Sequence, residues 1–437
     1  VGTTTVTCTA TDSAGNVGTA SFTVTVVLES GDTTPQPPTI SSATPASVTA
    51  TATNITNDAG HSNRPDVFVS GNTVHVAWVD ETSPQKIYYK KSTDGGNTFG
   101  ATITIGDTSS AMGPGLAVNG NNVHIVWDPS NGSNAYAKST DGGNTFSSPI
   151  SLGGIARPNI GVSGNYVHIV GWQQYGSQSD SLVYYRSTNG GNTFESSKVI
   201  APGGIVSSIA VSGNYVHVLS QQNPTIYYVR STDNGQVFEG VTTMSSSGTL
   251  VDGSGNSKNI AASGSNNVII GIDGGANIEI IESRNGGSSF YPALLIPKNC
   301  MSSPGVAVSG NTMHISWNSC NNSQYYSRST DQGANFGTIQ EIPGINANRG
   351  SIAVSGSNLV MAHPVSGEIM VLLSSDSGQT FTSPSAAPAP GSDTTPPTSA
   401  FATGFGNGQG HSGYLRMDID SSGIYTSDSR KNDVKKL

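Results

Sequence analysis

Three arginines stand at one place in a recurring phrase: R-P-D-V-F-V-S-G from Arg64, R-P-N-I-G-V-S-G from Arg157 and R-G-S-I-A-V-S-G from Arg349. A planar guanidinium forks two N–H donors onto one carboxylate, so three brought to one point would hold an anion. The alternative is that each pairs with a neighbouring carboxylate, for instance Asp66, or lines a solvated channel. The openings of the other copies are small or neutral, as at Gly113, Pro114, Val206, Ser207, Ser257, Ser303 and Pro304. Glycoside hydrolysis needs an acid and a nucleophile or base facing each other across the scissile bond. Asp66 by itself does not supply that pair, so no catalytic residue is assigned.

Five of the eight histidines recur at one position of another repeated segment: His75, His124, His168, His217 and His314. Metal ligands must converge on one point within about 2 Å of it, and one histidine per repeat does not. The expectation is a structural set, hydrogen-bonded between repeats. Trp78, Trp127, Trp172 and Trp317 end that same segment, and Tyr88, Tyr89, Tyr184, Tyr185, Tyr227, Tyr228, Tyr325 and Tyr326 recur in the next one. All read as packing between repeats. The oxygen-rich stretches D-G-S-G-N-S at Asp252 and D-I-D-S-S-G at Asp418 lack a distal acidic ligand and read as turns, so no metal and no cofactor is expected.

What positions these residues is an octet, S-T-D-G-G-N-T-F at Ser92 and again at Ser139. Five further copies begin at Ser187, Ser231, Ser283, Ser329 and Ser374, and their third residues are Asp94, Asp141, Asn189, Asp233, Asn285, Asp331 and Asp376. They recur every 44 to 52 residues with strand-like sequence between them, the mark of a propeller of four-stranded blades. The octet reads as a turn, its Asp or Asn accepting backbone N–H groups and its glycines supplying φ > 0. Each repeat opens on an inner strand ending in Ser-Gly or Asn-Gly and runs through three more strands. The expected fold is all-β, a seven-bladed β-propeller over residues 47–385 with short flanking β segments from other modules. Inner strand ends face a central channel, where the arginines would meet.

The octet resembles the Asp box, or BNR repeat, of sialidases and related propellers. The resemblance implies a structural hairpin at the outer edge of each blade, remote from any chemistry. Sialidases also hold the sialic acid carboxylate with an arginine triad, which would fall to Arg64, Arg157 and Arg349. Here R-P-D-V and R-P-N-I depart from the family's aromatic-Arg-Ile-Pro segment, and no tyrosine outside the repeating set has an evident glutamate partner.

Residues 1–27 contain V-T-C-T-A-T-D-S-A-G-N and F-T-V-T-V, two strands about a turn. They resemble the end of a hyalin repeat, an immunoglobulin-like module whose first half, with the usual partner of Cys8, is absent. Residues 28–46 read as a Thr/Pro linker, and 386–398 as a second. Residues 399–437 resemble one NHL repeat through G-N-G-Q-G and D-S-S-G-I-Y-T-S-D-S-R-K-N-D-V-K-K-L. Both ends therefore read as cut through modules. Val48 to Thr56 is expected to close the ring as the outermost strand of the blade whose inner strands are 351–374.

Only 11% of the 437 residues are charged and the net charge is −9, which argues against nucleic acid as a partner. No apolar run is long enough to span a membrane, and V-G-T-T-T-V is not a signal peptide. Low charge, Thr/Pro linkers and the N-x-S/T sites at Asn54, Asn131 and Asn321 suit an extracellular or cell-surface protein. Cys300 and Cys320 flank one strand pair and are expected to form a disulfide, two free thiols being the alternative. The function expected is non-enzymatic recognition or assembly, with glycans or surface proteins as partners and self-assembly through the terminal segments. A sialidase-related glycoside hydrolase is the alternative.

Overall fold

The computed structural model describes residues 2–26, 37–42, 44–48, 50, 52–56, 60–108, 112–129, 134–175, 179–204, 206–245, 247–250, 258–298, 304–318, 323–343, 345, 350–381, 415–420, 423–428 and 433–436. Arg349, Cys300, Cys320, Asn131, Asn321 and the D-G-S-G-N-S stretch lie outside the described residues. The chain divides into two compact units, Val1–Ala387 and Pro388–Leu437. In the second, Leu415–Asp420, Gly423–Asp428 and Asp433–Lys436 make a three-stranded antiparallel sheet.

The first unit is an all-β propeller. Each repeat threads four strands in chain order, as in Ser62–Ser70, Thr73–Asp80, Lys86–Ser92 and Ile103–Asp107. The strands form because apolar residues face both neighbouring sheets, and in most blades a two-residue Gly-Asn loop joins the first two. Gly71 and Gly164 hold φ of 57° and 56° there, a conformation cheap only for glycine. The next three blades follow over 115–153, 156–202 and 207–245, and a fifth over 260–297. Inner strands contact one another in sequence, and Ser351–Ser355 returns to Ser62–Ser70 to close the ring.

Six sheets are four-stranded blades, so a count of seven such blades is not matched. The exception is the sheet built on Gly305–Ser309, Thr312–Asn318 and Ser323–Ser329, which has seven strands. Thr39–Ile40 lies parallel to Asn335–Phe336, and Ala46–Ser47 parallel to Gln340–Pro343. Added strands there satisfy edge N–H and C=O groups that a four-stranded blade leaves to water. The closing blade, Ser351–Ser355, Asn358–Val365 and Glu368–Ser374, takes its fourth strand from Thr53–Asn54, paired antiparallel with Val371 and Met370. The closure expected from Val48 to Thr56 is thus corrected at its start. The Val48 amide donates to Glu341 of the seven-stranded sheet at 2.8 Å, and only the end of the segment crosses to the closing blade.

Every seam between sheets has its own apolar cluster. Val76, Trp78, Val360 and Val371 join the closing and first blades, and Ala77, Leu116 and Trp127 the first and second. Trp78 and Trp127 are 0% and 1% exposed, and burying a ring of that size contributes roughly 2–3 kcal/mol. Residues 2–26 form a separate hairpin, Gly2–Thr11 with Val17–Val26, whose turn is closed by Asp12 accepting the Ala14 and Asn16 amides at 2.9 Å.

Candidate functional site at the channel mouth

The third residue of each inner-strand opening reaches the head of the central channel. These residues are Asp66, Gly115, Asn159, Ser208, Asn259, Gly305 and Ser351, and the five with polar side chains are all at most 3% exposed. They form a polar collar, because inner strands packed around a ring bring equivalent positions to one level. Below it, apolar residues such as Val67, Ile160, Ile209 and Ile352 line a cavity of about 180 Å³.

Asp66 is where the collar converges. One carboxylate oxygen accepts the Leu116 amide at 2.8 Å from the second blade. The other accepts the Ser351 hydroxyl at 3.0 Å from the closing blade and faces the Lys258 ammonium of the fifth blade at 3.2 Å. Donors from three sheets therefore hold one carboxylate. Asn259 donates to the carbonyls of Gly271 and Pro304 at 3.0 and 3.2 Å, tying the collar across the next seam. The sequence reading gave Lys258 no role. Its signal was present, since S-K-N-I is the one opening with a lysine.

The arginines are positioned by a different device. Arg64 and Arg157 hold φ of 51° and 52°, and register shifts interrupt the inner strands at Asn63/Asp66 and Ala156/Asn159. Such bulges re-aim side chains and cost strain of about 1–3 kcal/mol for a non-glycine residue. Arg64 is buried, its Nε 3.6 Å from Glu81 and its Nη1 3.4 Å from the Met112 sulfur. Glu81 also accepts from Asn63 at 3.2 Å and faces the exposed His61 imidazole at 3.2 Å. The Arg157 amide donates to Asp128 at 2.9 Å, and burial raises the Asp128 carboxyl although Arg157 acts against it. Asp66 is thus held by Lys258, while Glu81 and Asp128 are the carboxylates beside the arginines.

Elsewhere the repeated polar residues serve the frame. The five histidines are buried, and each Nδ1 bonds a tyrosine hydroxyl on the adjacent strand of its own sheet: Tyr89, Tyr136, Tyr184, Tyr228 and Tyr326, at 2.6–2.7 Å. The bond between repeats expected for these histidines is therefore corrected to one within a sheet, because the histidine and tyrosine strands are hydrogen-bonded neighbours. In every octet the third residue accepts the serine hydroxyl at 2.5–2.9 Å. It also accepts the amide four residues on at 2.9–3.0 Å. The octets sit beside the Gly-Asn turns, where Gly95 donates to the Asn72 carbonyl, at the far end of the inner strands from the collar. Asn54 is exposed in the closing strand and accepts the Thr56 amide at 3.0 Å. Among the described residues, no group of three or more His, Cys, Asp and Glu is placed to hold a metal ion.

One family description matches the sequence, an LVIVD repeat over residues 203–224, which spans the first two strands of the fourth blade. No curated protein sequence matches the chain. Among solved structures, a polysaccharide lyase described as an ulvan lyase is similar at 12% identity and a TM-score of 0.52, covering 75% of this chain and 96% of its own. The same lyase bound to -[GlcA(1-4)Rha3S]- is similar at 12% identity and 0.51 over the same shares. A Hadza microbial sialidase is similar at 14% identity and 0.42, covering 64% of this chain and 66% of its own. The structural neighbours are thus sialidase-like and ulvan lyase propellers, and the ulvan lyase shares a fold with this chain. Among the described residues, no helix is long and apolar enough to cross a membrane.

Proposed function

We propose that this chain is a recognition or assembly module, a rigid propeller that presents binding surfaces rather than turning over a glycan. In this reading the octets are Asp boxes of the BNR kind, the seven-stranded sheet counts as a seventh blade, and residues 1–27 and 399–437 derive from a hyalin repeat and an NHL repeat. The protein works outside the cell, with Cys300 and Cys320 bonded, and its partners are glycans or other surface proteins. The observation that carries this reading is Asp66. The one carboxylate of the collar is engaged by Leu116, Ser351 and Lys258, so it is not free to serve as an acid or base in the channel. Fold likeness to enzymes supports the scaffold and not an activity. Arg64 and Arg157, with Arg349, remain contacts for an anionic glycan at the mouth.

A second reading, cleavage of an anionic polysaccharide, draws on His61, which faces Glu81 beside Arg64. A histidine oriented by a carboxylate next to a guanidinium is a fair base for abstracting a proton beside a uronate. One experiment separates the two. The purified chain is incubated with a fluorogenic sialoside and with uronate-bearing polysaccharides, following fluorophore release and the ultraviolet absorbance of unsaturated uronate. No turnover is expected. Turnover abolished by Asp66→Asn would overturn the first reading in favour of a channel hydrolase, and turnover abolished by His61→Ala would establish the second.

A further inference from the structure

Four residues before the serine of each octet, the third strand carries a side chain that faces the preceding sheet. Tyr88 packs into the cluster shared by the closing and first blades, and Tyr325 into that shared by the fifth blade and the seven-stranded sheet. Ala135 and Val183 take the same place in the next two seams, and Tyr227 and Met370 complete an apolar series. In the fifth blade this residue is Glu279. Its strand neighbours fix the direction: Ile278 and Ile280 pack toward the seven-stranded sheet, and Ile281 toward the fourth blade.

The Glu279 carboxylate turns back against Gly274 of its own hairpin, and a cavity of about 370 Å³ that Glu279 helps to line lies beside it. Thr243 and Met244 of the fourth blade's outer strand form one wall, with Ile281, Phe290 and Tyr291 of the fifth blade opposite. The Glu279 carboxylate has neither a hydrogen bond nor an ion pair among the described residues. Lys298 is already engaged by both oxygens of Asp273, at 2.7 and 2.8 Å. Burial, and after it the charge of Asp273, push the Glu279 carboxyl above the usual glutamate range. A half-buried carboxylate with no counter-charge gains most from a cation, and the apolar walls favour one on a hydrocarbon stem.

We propose that the seam between the fourth and fifth blades binds an aliphatic ammonium, such as a partner protein's lysine side chain. The ammonium meets Glu279, and the stem lies along Met244, Ile281 and Phe290. A neutral sugar would leave the carboxylate desolvated and unpaired. The site shares no residue with the channel mouth and stands whichever reading of the mouth holds.

Nα-acetyl-lysine amide and Nα-acetyl-norleucine amide offer the same stem with and without the charge. Each is titrated into the full chain by calorimetry or NMR. Saturable binding of the lysine compound is expected, with the norleucine compound weaker by about tenfold or more, as loss of a charge-assisted bond implies. Glu279→Gln should weaken the lysine compound by about the same factor. Glu279→Tyr restores the ring found in the first blade and should abolish binding while the melting temperature holds or rises. Equal response to the two compounds, no saturable binding of the lysine compound, or binding that survives either substitution overturns the proposal.

Discussion

The seams of this propeller are of two kinds, and they differ in what fills one socket. The socket is constant: the glycine at the fifth position of each octet, at positive φ, faces the preceding sheet. In five seams a tyrosine hydroxyl fills it. Tyr89 reaches Gly143, Tyr136 Gly191, Tyr184 Gly235, Tyr228 Gly287 and Tyr326 Gly378, each phenol held by its histidine. The same tyrosines meet the closing Phe of the next octet edge-on, as Tyr89 meets Phe146 at 5.0 Å. In the other two seams His and Tyr are replaced by Ile269 and Ile280, and by Val360 and Val371. There Glu282 fills the socket at Gly333, and Leu373 the one at Gly96. A repeat thus tolerates a phenol, an alkyl group or a carboxyl in one space, provided the octet contributes no side chain of its own.

The sharpest way to break the first kind of seam is to fill its socket from the octet side. Gly235→Ala places a methyl on the Tyr184 hydroxyl and within 3.2 Å of the His168 ring, at a φ of +73° that alanine resists. Overpacking and backbone strain together should cost about 3 kcal/mol or more. Thermal denaturation should show a melting temperature lower by about 5 °C or more. Gly213→Ala is the control, because its φ is +58° but nothing lies within 4 Å of the added methyl. It should cost only about 1 kcal/mol. Equal losses for the two would mean that the socket is not a packing site.

Acid separates the two kinds of seam by sign. In the histidine seams burial, and after it the neighbouring Lys91 or Lys138, pushes His75 and His124 down to about 4. His168, His217 and His314 fall to about 3 for the same reason, beside Arg186, Arg230 and Arg328. Their contribution is present above the ordinary histidine value and is lost as pH falls toward those lowered values. Glu282 behaves oppositely. Burial raises it to about 7, although Arg284 at 2.5 Å works against the rise. The stability it contributes is complete below the ordinary glutamate range and is lost as pH rises through about 7. Glu282→Gln should therefore match the parent chain near pH 5 and exceed it in melting temperature at pH 8. A constant difference between the two across that range would show that Glu282 does not titrate in the seam.

These seams also mark how far the sequence could be read. The octets and their period announce a propeller, because a turn with two positive-φ residues and a Phe packed against the seam constrains almost every position it uses. The recurrence of His75 and Tyr89 was visible, but their bond was not, since it depends on the antiparallel register of two strands. Thr39–Ile40 and Ala46–Ser47 were illegible as strands, being two residues each and dependent on the edges they join. The meeting of Asp66 with Lys258 needs the ring itself, which brings the first and fifth inner strands to one collar. Arg64 and Arg157 stood out in sequence, yet the bulges that aim them leave no mark beyond the R-P pair.

The smallest effect is expected inside the octet, where the chain already carries both alternatives. Asp94 accepts the Ser92 hydroxyl at 2.6 Å, the Thr98 amide at 2.9 Å and the Thr98 hydroxyl at 2.6 Å. Asn189 keeps the first two, from Ser187 at 2.9 Å and Thr193 at 3.0 Å, and reverses the third by donating its amide to the Thr193 hydroxyl at 2.8 Å. A hydroxyl serves equally as donor or acceptor, so Asp94→Asn should change stability at neutral pH by no more than about 0.5 kcal/mol. The difference belongs to acid. Burial works to raise the Asp94 carboxyl, but the bonds from Ser92 and Thr98 outweigh it and bring the group down to about 2. Its contribution is present above the ordinary aspartate range and is lost as pH falls toward that value, a loss the asparagine variant does not share. Denaturant titrations of both chains at pH 7 and pH 3 would show near-coincidence at the first and a relative gain for Asp94→Asn at the second. A loss at pH 7 as large as that of Gly235→Ala would mean that the negative charge, and not the bond pattern, holds the octet.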